Sequence, residues 1–217
     1  MEKKIETVEK NLTIRIDTLS LTGTLVLPRK KGGLVVFAHG SGSSRSSPRN
    51  AFVARTLQAA GIGTLLFDLL TEQEDQSYRN RFDIDLITDR LIRTTRQLFE
   101  MPETKGLTPG YFGASTGAAA AINAAATLAP KIRSVVSRGG RPDLAMDSLD
   151  KVEAPTLLIV GEKDETVLDW NRLAYGKLAS PKRLAIVPGA GHLFEEPGAL
   201  EQVANLAAGW FRRHLAP

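Results

Sequence analysis

A short apolar segment that ends in a glycine-flanked serine constrains the fold of this chain more than any other stretch. The segment leads into Gly113-Ala-Ser115-Thr-Gly117, and an alanine-rich run follows. Glycines two residues before and after Ser115 allow the backbone to reverse sharply, because neither has a Cβ that would collide with a neighbouring strand or helix. The stretch therefore predicts a strand, a very tight turn at Ser115 and a helix.

Ser115 in such a turn is a candidate nucleophile. The pattern G-x-S-x-G is that of the nucleophile elbow, in which the hydroxyl is exposed and the helix N-terminus below it favours developing negative charge. Because the chain contains 19 glycines, the five-residue pattern alone is a weak signal. Its interpretation depends on context: a strand before it, a helix after it, and then an acid and a histidine later in the chain, in that order.

Segments typical of strands and helices alternate along the rest of the chain. Residues 11–17 and 21–27 alternate apolar and polar side chains, which predicts an antiparallel hairpin at a sheet edge. A continuous apolar run at 34–38 is typical of a strand buried on both faces, and further strands are predicted at 63–67, 110–113, 132–136, 155–160 and 183–187. Further helical patterns lie at 48–60, 82–99, 166–178 and around 200–210, and a polar loop is predicted over 71–80.

This alternation predicts an α/β fold, a doubly wound and mostly parallel sheet with helices on both faces. The length of 217 residues fits a single domain over 1–217. Segment 138–154 is too short to form a separate cap domain, so we expect none.

Composition excludes several classes of protein. With no cysteine and three histidines, disulfides, thiolate metal sites and a cysteine nucleophile are excluded, and neither a metal nor a cofactor is expected. The net charge is +4, but the lysines and arginines are scattered among acidic residues, which argues against a nucleic-acid partner.

No apolar run reaches the roughly 20 residues of a membrane helix, and the charged N-terminus lacks a signal-peptide core. We expect a cytoplasmic protein with no membrane partner; its oligomeric state is left open.

Two further side chains follow predicted strands, where the loops of such a sheet converge. Asp164 comes after the strand at 155–160, and His192 after the strand at 183–187. A histidine with a pKa near neutrality can remove the serine proton, and an acid can orient its ring. Asp143 and Asp147, which follow the preceding strand, are rival candidates for the acid. The remaining histidines are expected to be structural (His39) and solvated (His214).

Four motifs in chain order carry a resemblance over nearly the whole chain: His39-Gly-Ser-Gly, Gly113-Ala-Ser-Thr-Gly, Val160-Gly-Glu-Lys-Asp and Gly191-His192. The chain resembles the α/β-hydrolase superfamily, and within it the small capless group that is similar to dienelactone hydrolases. The resemblance implies an eight-stranded sheet with an antiparallel N-terminal edge. Dienelactone hydrolases proper use a cysteine nucleophile, and this chain has no cysteine. The resemblance therefore does not imply that this protein acts on their substrate.

The expected function is hydrolysis of a small or medium carboxylic ester, thioester or lactone through an acyl-serine at Ser115. The oxyanion hole is expected from the backbone N–H groups of Thr116 and Ser41. Acyl transfer or perhydrolysis on the same triad is one alternative, and a catalytically silent binding protein is another.

Three arginines follow the strands that flank the elbow: Arg45, Arg138 and Arg141. Guanidinium groups at this rim would suit a substrate with a carboxylate or phosphate. The alternative is that they pair with Asp143, Asp147 or the acidic residues at 72–75.

Overall fold

A computed structural model describes residues 6–29 and 32–215 of the chain. Over these residues the strands are β1 (Thr7–Ile16), β2 (Leu19–Pro28), β3 (Gly33–Ala38), β4 (Gly63–Phe67), β5 (Thr108–Ala114), β6 (Val135–Arg138), β7 (Thr156–Gly161) and β8 (Lys182–Val187). They form one eight-stranded sheet in the order β1-β2-β4-β3-β5-β6-β7-β8. The pairs β1–β2 and β2–β4 are antiparallel and the others are parallel. The predicted α/β-hydrolase fold with an antiparallel N-terminal edge is confirmed.

Helices flank the sheet on both faces. They are α1 (Pro48–Ala59), α2 (Glu72–Asp75), α3 (Tyr78–Arg81), α4 (Ile84–Glu100), α5 (Thr116–Thr127), α6 (Glu165–Lys177) and α7 (Ala199–His214), with a 3₁₀ stretch over Pro142–Lys151. Local chemistry sets where several begin. Ser47 accepts a hydrogen bond from the Asn50 N–H and Pro48 occupies the first turn of α1, while Asp83 accepts from the Leu86 N–H at the start of α4.

Two predicted segments differ from the structure. The predicted loop over 71–80 contains the short helices α2 and α3, because Thr71 and Glu74 form a reciprocal capping box that starts α2. The strand expected at 132–136 begins and ends later in the structure, at β6 (Val135–Arg138). Polar residues at its end extend the ladder, since Ser137 and Arg138 pair with β5 as well as with β7.

The core lies in two layers, one on each face of the sheet. On one face α4 and α5 cover Val36 and Tyr111. On the other, α1 and α7 cover Phe37 and Phe112, whose rings pack at 4.9 Å between centroids. Because the parallel strands between these layers end at one edge, the loops after β3, β5, β6, β7 and β8 meet there.

None of the helices in the described ranges is both long and apolar enough to traverse a lipid bilayer.

Candidate active site

The turn at Ser115 is as tight as its glycines predict. Ser115 has φ 51° and ψ −122°, an unfavourable conformation for a residue with a side chain. A Cβ on Gly113 would lie 2.5 Å from the Ala118 Cα, and one on Gly117 would lie 2.2 Å from the Ala38 carbonyl oxygen. Both glycines are therefore required by close approach, the first to helix α5 and the second to strand β3.

Asp164 and His192 are joined by a short hydrogen bond. Nδ1 of His192 lies 2.6 Å from Oδ2 of Asp164. Asp164 immediately precedes α6, yet its side chain makes no capping bond to that helix. With Nδ1–H donating to the carboxylate, Nε2 carries the lone pair and is the basic atom of the ring. The Asp164 side chain is 15% exposed and that of His192 is 39% exposed, so the carboxylate is more shielded from solvent than the ring.

Ser115 and His192 both lie against the end of β6. The Ser115 N–H donates to the Arg138 carbonyl at 3.2 Å. A Cβ on the next residue, Gly139, would lie 3.5 Å from Nδ1 and Cε1 of His192. Both residues lie in the described part of the chain, and the structure has no hydrogen bond between Ser115 Oγ and the His192 ring; in unliganded enzymes such contacts are often long.

Two glutamates that the sequence analysis did not single out hold the His192 loop. Glu162 accepts from the Gly189 N–H at 2.7 Å, and Glu196 accepts from the Gly191 N–H at 2.9 Å. Backbone N–H groups, its own and that of Gly191, hold the pKa of Glu196 below its usual value. Glu162 belongs to the Val160-Gly-Glu-Lys-Asp motif, which could have drawn attention to it. Its hydrogen-bond partner Gly189 lies 27 residues later in the chain, so the sequence alone did not indicate the contact.

The expected oxyanion donors lie together beside the elbow. The Ser41 N–H donates to Oγ1 of Thr116 at 2.9 Å, and Thr116 is the first residue of α5. A Cβ on Gly40 would lie 3.0 Å from Cβ of Ser115, so the loop after β3 packs directly on the serine. In the free protein, the Ser41 N–H is thus occupied by the side chain of the other expected donor.

The other two histidines lie outside this cluster. His39 is buried; its Nδ1–H donates to the Gly40 carbonyl at 3.0 Å and its Nε2 accepts from the Leu69 N–H at 3.0 Å. Burial lowers the pKa of His39, which fits the structural role predicted for it. His214 was expected to be solvated, but its ring packs on Trp210 at 4.5 Å between centroids, and its Nε2 is buried.

Two of the three arginines are paired with carboxylates. Arg45 donates from Nε to Asp68 at 3.0 Å. Arg141 makes a bidentate pair with Asp143, with Nη2 to Oδ2 at 2.7 Å, and stacks on Trp170. Asp143, a rival for the triad acid, is therefore engaged by an arginine rather than by His192.

Asp147, the other rival, borders a surface groove on the α4 and α5 side of the sheet together with Asp85 and Asn123. Arg138 is buried at the end of β6. Across residues 6–29 and 32–215, no three histidine, aspartate or glutamate side chains converge as a metal site would require.

Comparison with known proteins identifies the family. The chain is 51% identical to a dienelactone hydrolase from Anabaena variabilis of known crystal structure, with a TM-score of 0.94, over 96% of this chain and 99% of that one. The chain belongs to the dienelactone hydrolase-like α/β-hydrolases. No family model matches it. The esterase Est1E from Butyrivibrio proteoclasticus, 16% identical with a TM-score of 0.81 over 94% of this chain and 98% of that one, shares the fold.

The curated relatives are longer proteins. Two proteins from two strains of Mycobacterium tuberculosis, which carry a provisional phosphoribosyl transferase name, are 57% identical over 195 residues. The match covers 90% of this chain and 44% of theirs, so the chain spans less than half the length of these relatives.

Proposed function

We propose that this family member is a serine hydrolase that cleaves a small or medium carboxylic ester, thioester or lactone. The observation that carries the proposal is the 2.6 Å bond between Asp164 and His192 at the edge of the sheet where Ser115 occupies the strained turn. An oriented imidazole and a serine on an elbow are what nucleophilic acyl chemistry requires.

The reaction would proceed in two halves. Nε2 of His192 takes the proton of Ser115 Oγ as that oxygen attacks the carbonyl carbon, and the C=O electron pair becomes an oxyanion. The backbone N–H groups of Thr116 and Ser41 would stabilise this charge by donating hydrogen bonds to the oxyanion. The Ser41 N–H now donates to Thr116 Oγ1, so it would either leave that acceptor or donate to both oxygens. Collapse expels the alcohol, thiol or lactone oxygen, which receives the proton from His192. Water then attacks the acyl-serine by the same steps.

Asp164 would fix the tautomer of His192 and stabilise the imidazolium that forms after proton transfer. Its low exposure supports this role, because a shielded carboxylate interacts with the imidazolium more strongly than a solvated one does. We further propose that the chain acts as a single domain in the cytoplasm on a small-molecule substrate.

A panel of p-nitrophenyl esters, thioesters and lactones tests this proposal, with Ser115→Ala as the matched inactive variant. We expect turnover of at least one class by the wild-type protein and a kcat that is lower by several orders of magnitude in the variant, where only binding and the oxyanion hole would still act. Equal rates for the two proteins would exclude Ser115 as the nucleophile.

Added alcohols or hydrogen peroxide would then compete with water for the acyl-serine. Product that forms mainly by their capture would instead favour acyl transfer or perhydrolysis.

A further inference from the structure

Two arginines are buried in the part of the chain that the structure describes; Arg90 pairs with Glu74, whereas Arg138 has no carboxylate partner there. It ends strand β6 and is 7% exposed. Its Nε is buried without a hydrogen-bond partner, and Nη2 makes a long contact of 3.5 Å with Oδ1 of Asn50. None of the carboxylates within residues 6–29 and 32–215 forms an ion pair with it, whereas Arg45 and Arg141 at the same edge each have one.

The neighbours of Arg138 add positive rather than negative charge. Burial, and then the positive charge of Arg49, lower the pKa of Arg138 to about 10. Arg49 pairs on its outer side with the exposed Glu195 at 3.2 Å, but its own Nε is buried without a hydrogen-bond partner. The Phe194 ring lies 5.9 Å from Cζ of Arg138, a weak cation–π contact that does not replace a counter-ion.

The first turn of α1 lies at the same place. Arg49 and Asn50 both belong to that turn, and α1 is 12 residues long. The N-terminus of a helix carries a partial positive charge, which favours a bound anion. In α1 the first-turn N–H that remains for one is that of Arg49, since Pro48 has none and Ser47 caps that of Asn50. Arg49 and Arg138 each have a buried Nε without a hydrogen-bond acceptor, and the positive end of helix α1 lies beside them. A buried charge without a partner is unfavourable, so this arrangement calls for an anion.

We propose that Arg138, Arg49 and the first turn of α1 form a binding site for a compact oxyanion, a carboxylate or phosphate group. The planar guanidinium presents paired donors that match two oxygens of either group. The site borders the candidate active site, because Gly139 follows Arg138 and packs against His192. The anion is either free in solution or the charged end of a substrate held near Ser115.

Thermal unfolding in the presence of phosphate or acetate tests the site, with chloride used to hold the ionic strength constant. We expect a saturable rise in Tm, about 3–5 °C at ten times the Kd. Arg138→Met should lose this rise. Arg141→Gln is the matched control, since Arg141 already has a carboxylate partner, and it should keep the rise.

The Tm of Arg138→Met without added anion gives a second readout. It should be no lower than that of the wild type, because methionine fills the space without an uncompensated charge. If this variant does not fold, Arg49→Gln should weaken the anion-dependent shift, as Arg49 is the more exposed arginine. No saturable shift in the wild type, or the same shift in Arg138→Met, would overturn the proposal.

A matched pair of neutral and carboxylated esters distinguishes the two sources of the anion. A preference of about tenfold or more in kcat/KM for the carboxylated ester, lost in Arg138→Met, identifies the substrate as the source. A thermal shift without such a preference identifies a free anion. The thermal measurements need no turnover, so the anion site can fail or hold independently of the proposed hydrolase.

Discussion

The unfavourable backbone conformation of Ser115 leads to an unusual prediction about the stability of two variants. Its φ of 51° and ψ of −122° cost a residue with a Cβ about 1–3 kcal/mol, whereas glycine adopts them freely. Ser115→Ala and Ser115→Gly both remove the hydroxyl and differ only in the Cβ. Glycine also loses about 0.4–1 kcal/mol more backbone entropy on folding. The glycine variant should therefore have a free energy of unfolding above that of the alanine variant by roughly 0–2.6 kcal/mol, or about 1.3 kcal/mol at the centre of the two ranges.

Urea and thermal unfolding of the two variants measure this difference directly. For a chain of this length, about 2–4 °C of Tm corresponds to each kcal/mol, so we expect Ser115→Gly to melt several degrees above Ser115→Ala. Gln202, exposed in helix α7, provides the control. There the ordinary order should hold, with the glycine variant about 1 kcal/mol less stable than the alanine variant. An alanine variant at 115 that is more stable than the glycine variant would refute the strained elbow.

Three further predictions concern the surrounding residues. Asp164→Asn should lower kcat by about 10⁴, while Asp143→Asn stays within a few-fold; the reverse order in steady-state assays would identify Asp143 as the acid. Thr116→Val leaves the Ser41 N–H without its acceptor and should cost about 1–3 kcal/mol of unfolding free energy in urea, whereas Thr116→Ser should cost little. Burial lowers the pKa of His39, so the folded state binds fewer protons than the unfolded state. Stability should fall below about pH 6.5, and His39 contributes up to about 1.4 kcal/mol per pH unit to this fall. His39→Gln should remove that part and leave the smaller part due to His214, whose pKa burial also lowers.

Local features of the chain were predictable because they depend on neighbours in sequence. The close approach of Gly113 to helix α5 and the cap at Ser47 each act within a few residues, and the structure contains both. The contact of Gly117 with strand β3 is long-range, although the five-residue pattern signals it. The capping box at Thr71 and Glu74 is equally local, but the acidic composition of that segment concealed it. β6 was misplaced because its predicted end was set at the last apolar residue, Val136, whereas ladder pairing carries the strand through Ser137 and Arg138.

Partners of charged side chains were not predictable in the same way. Asp68, which pairs with Arg45, lies 23 residues further along the chain, and nothing in the sequence around either residue indicates the pair. The same limit applies to Glu196, which supports the His192 loop by accepting from Gly191. Which of Arg45, Arg138 and Arg141 has no carboxylate partner in the described part of the chain depends on long-range packing, and only the folded chain shows that it is Arg138.

The most direct test of the proposed chemistry is covalent labelling by a fluorophosphonate, followed by mass spectrometry of the intact protein and its peptides. We expect one adduct per chain, located on Ser115, absent in Ser115→Ala and formed at a rate lowered by orders of magnitude in His192→Ala. Wild-type protein that stays unlabelled, or carries its adduct on another residue, would contradict the proposal that Ser115 is a nucleophile activated by His192.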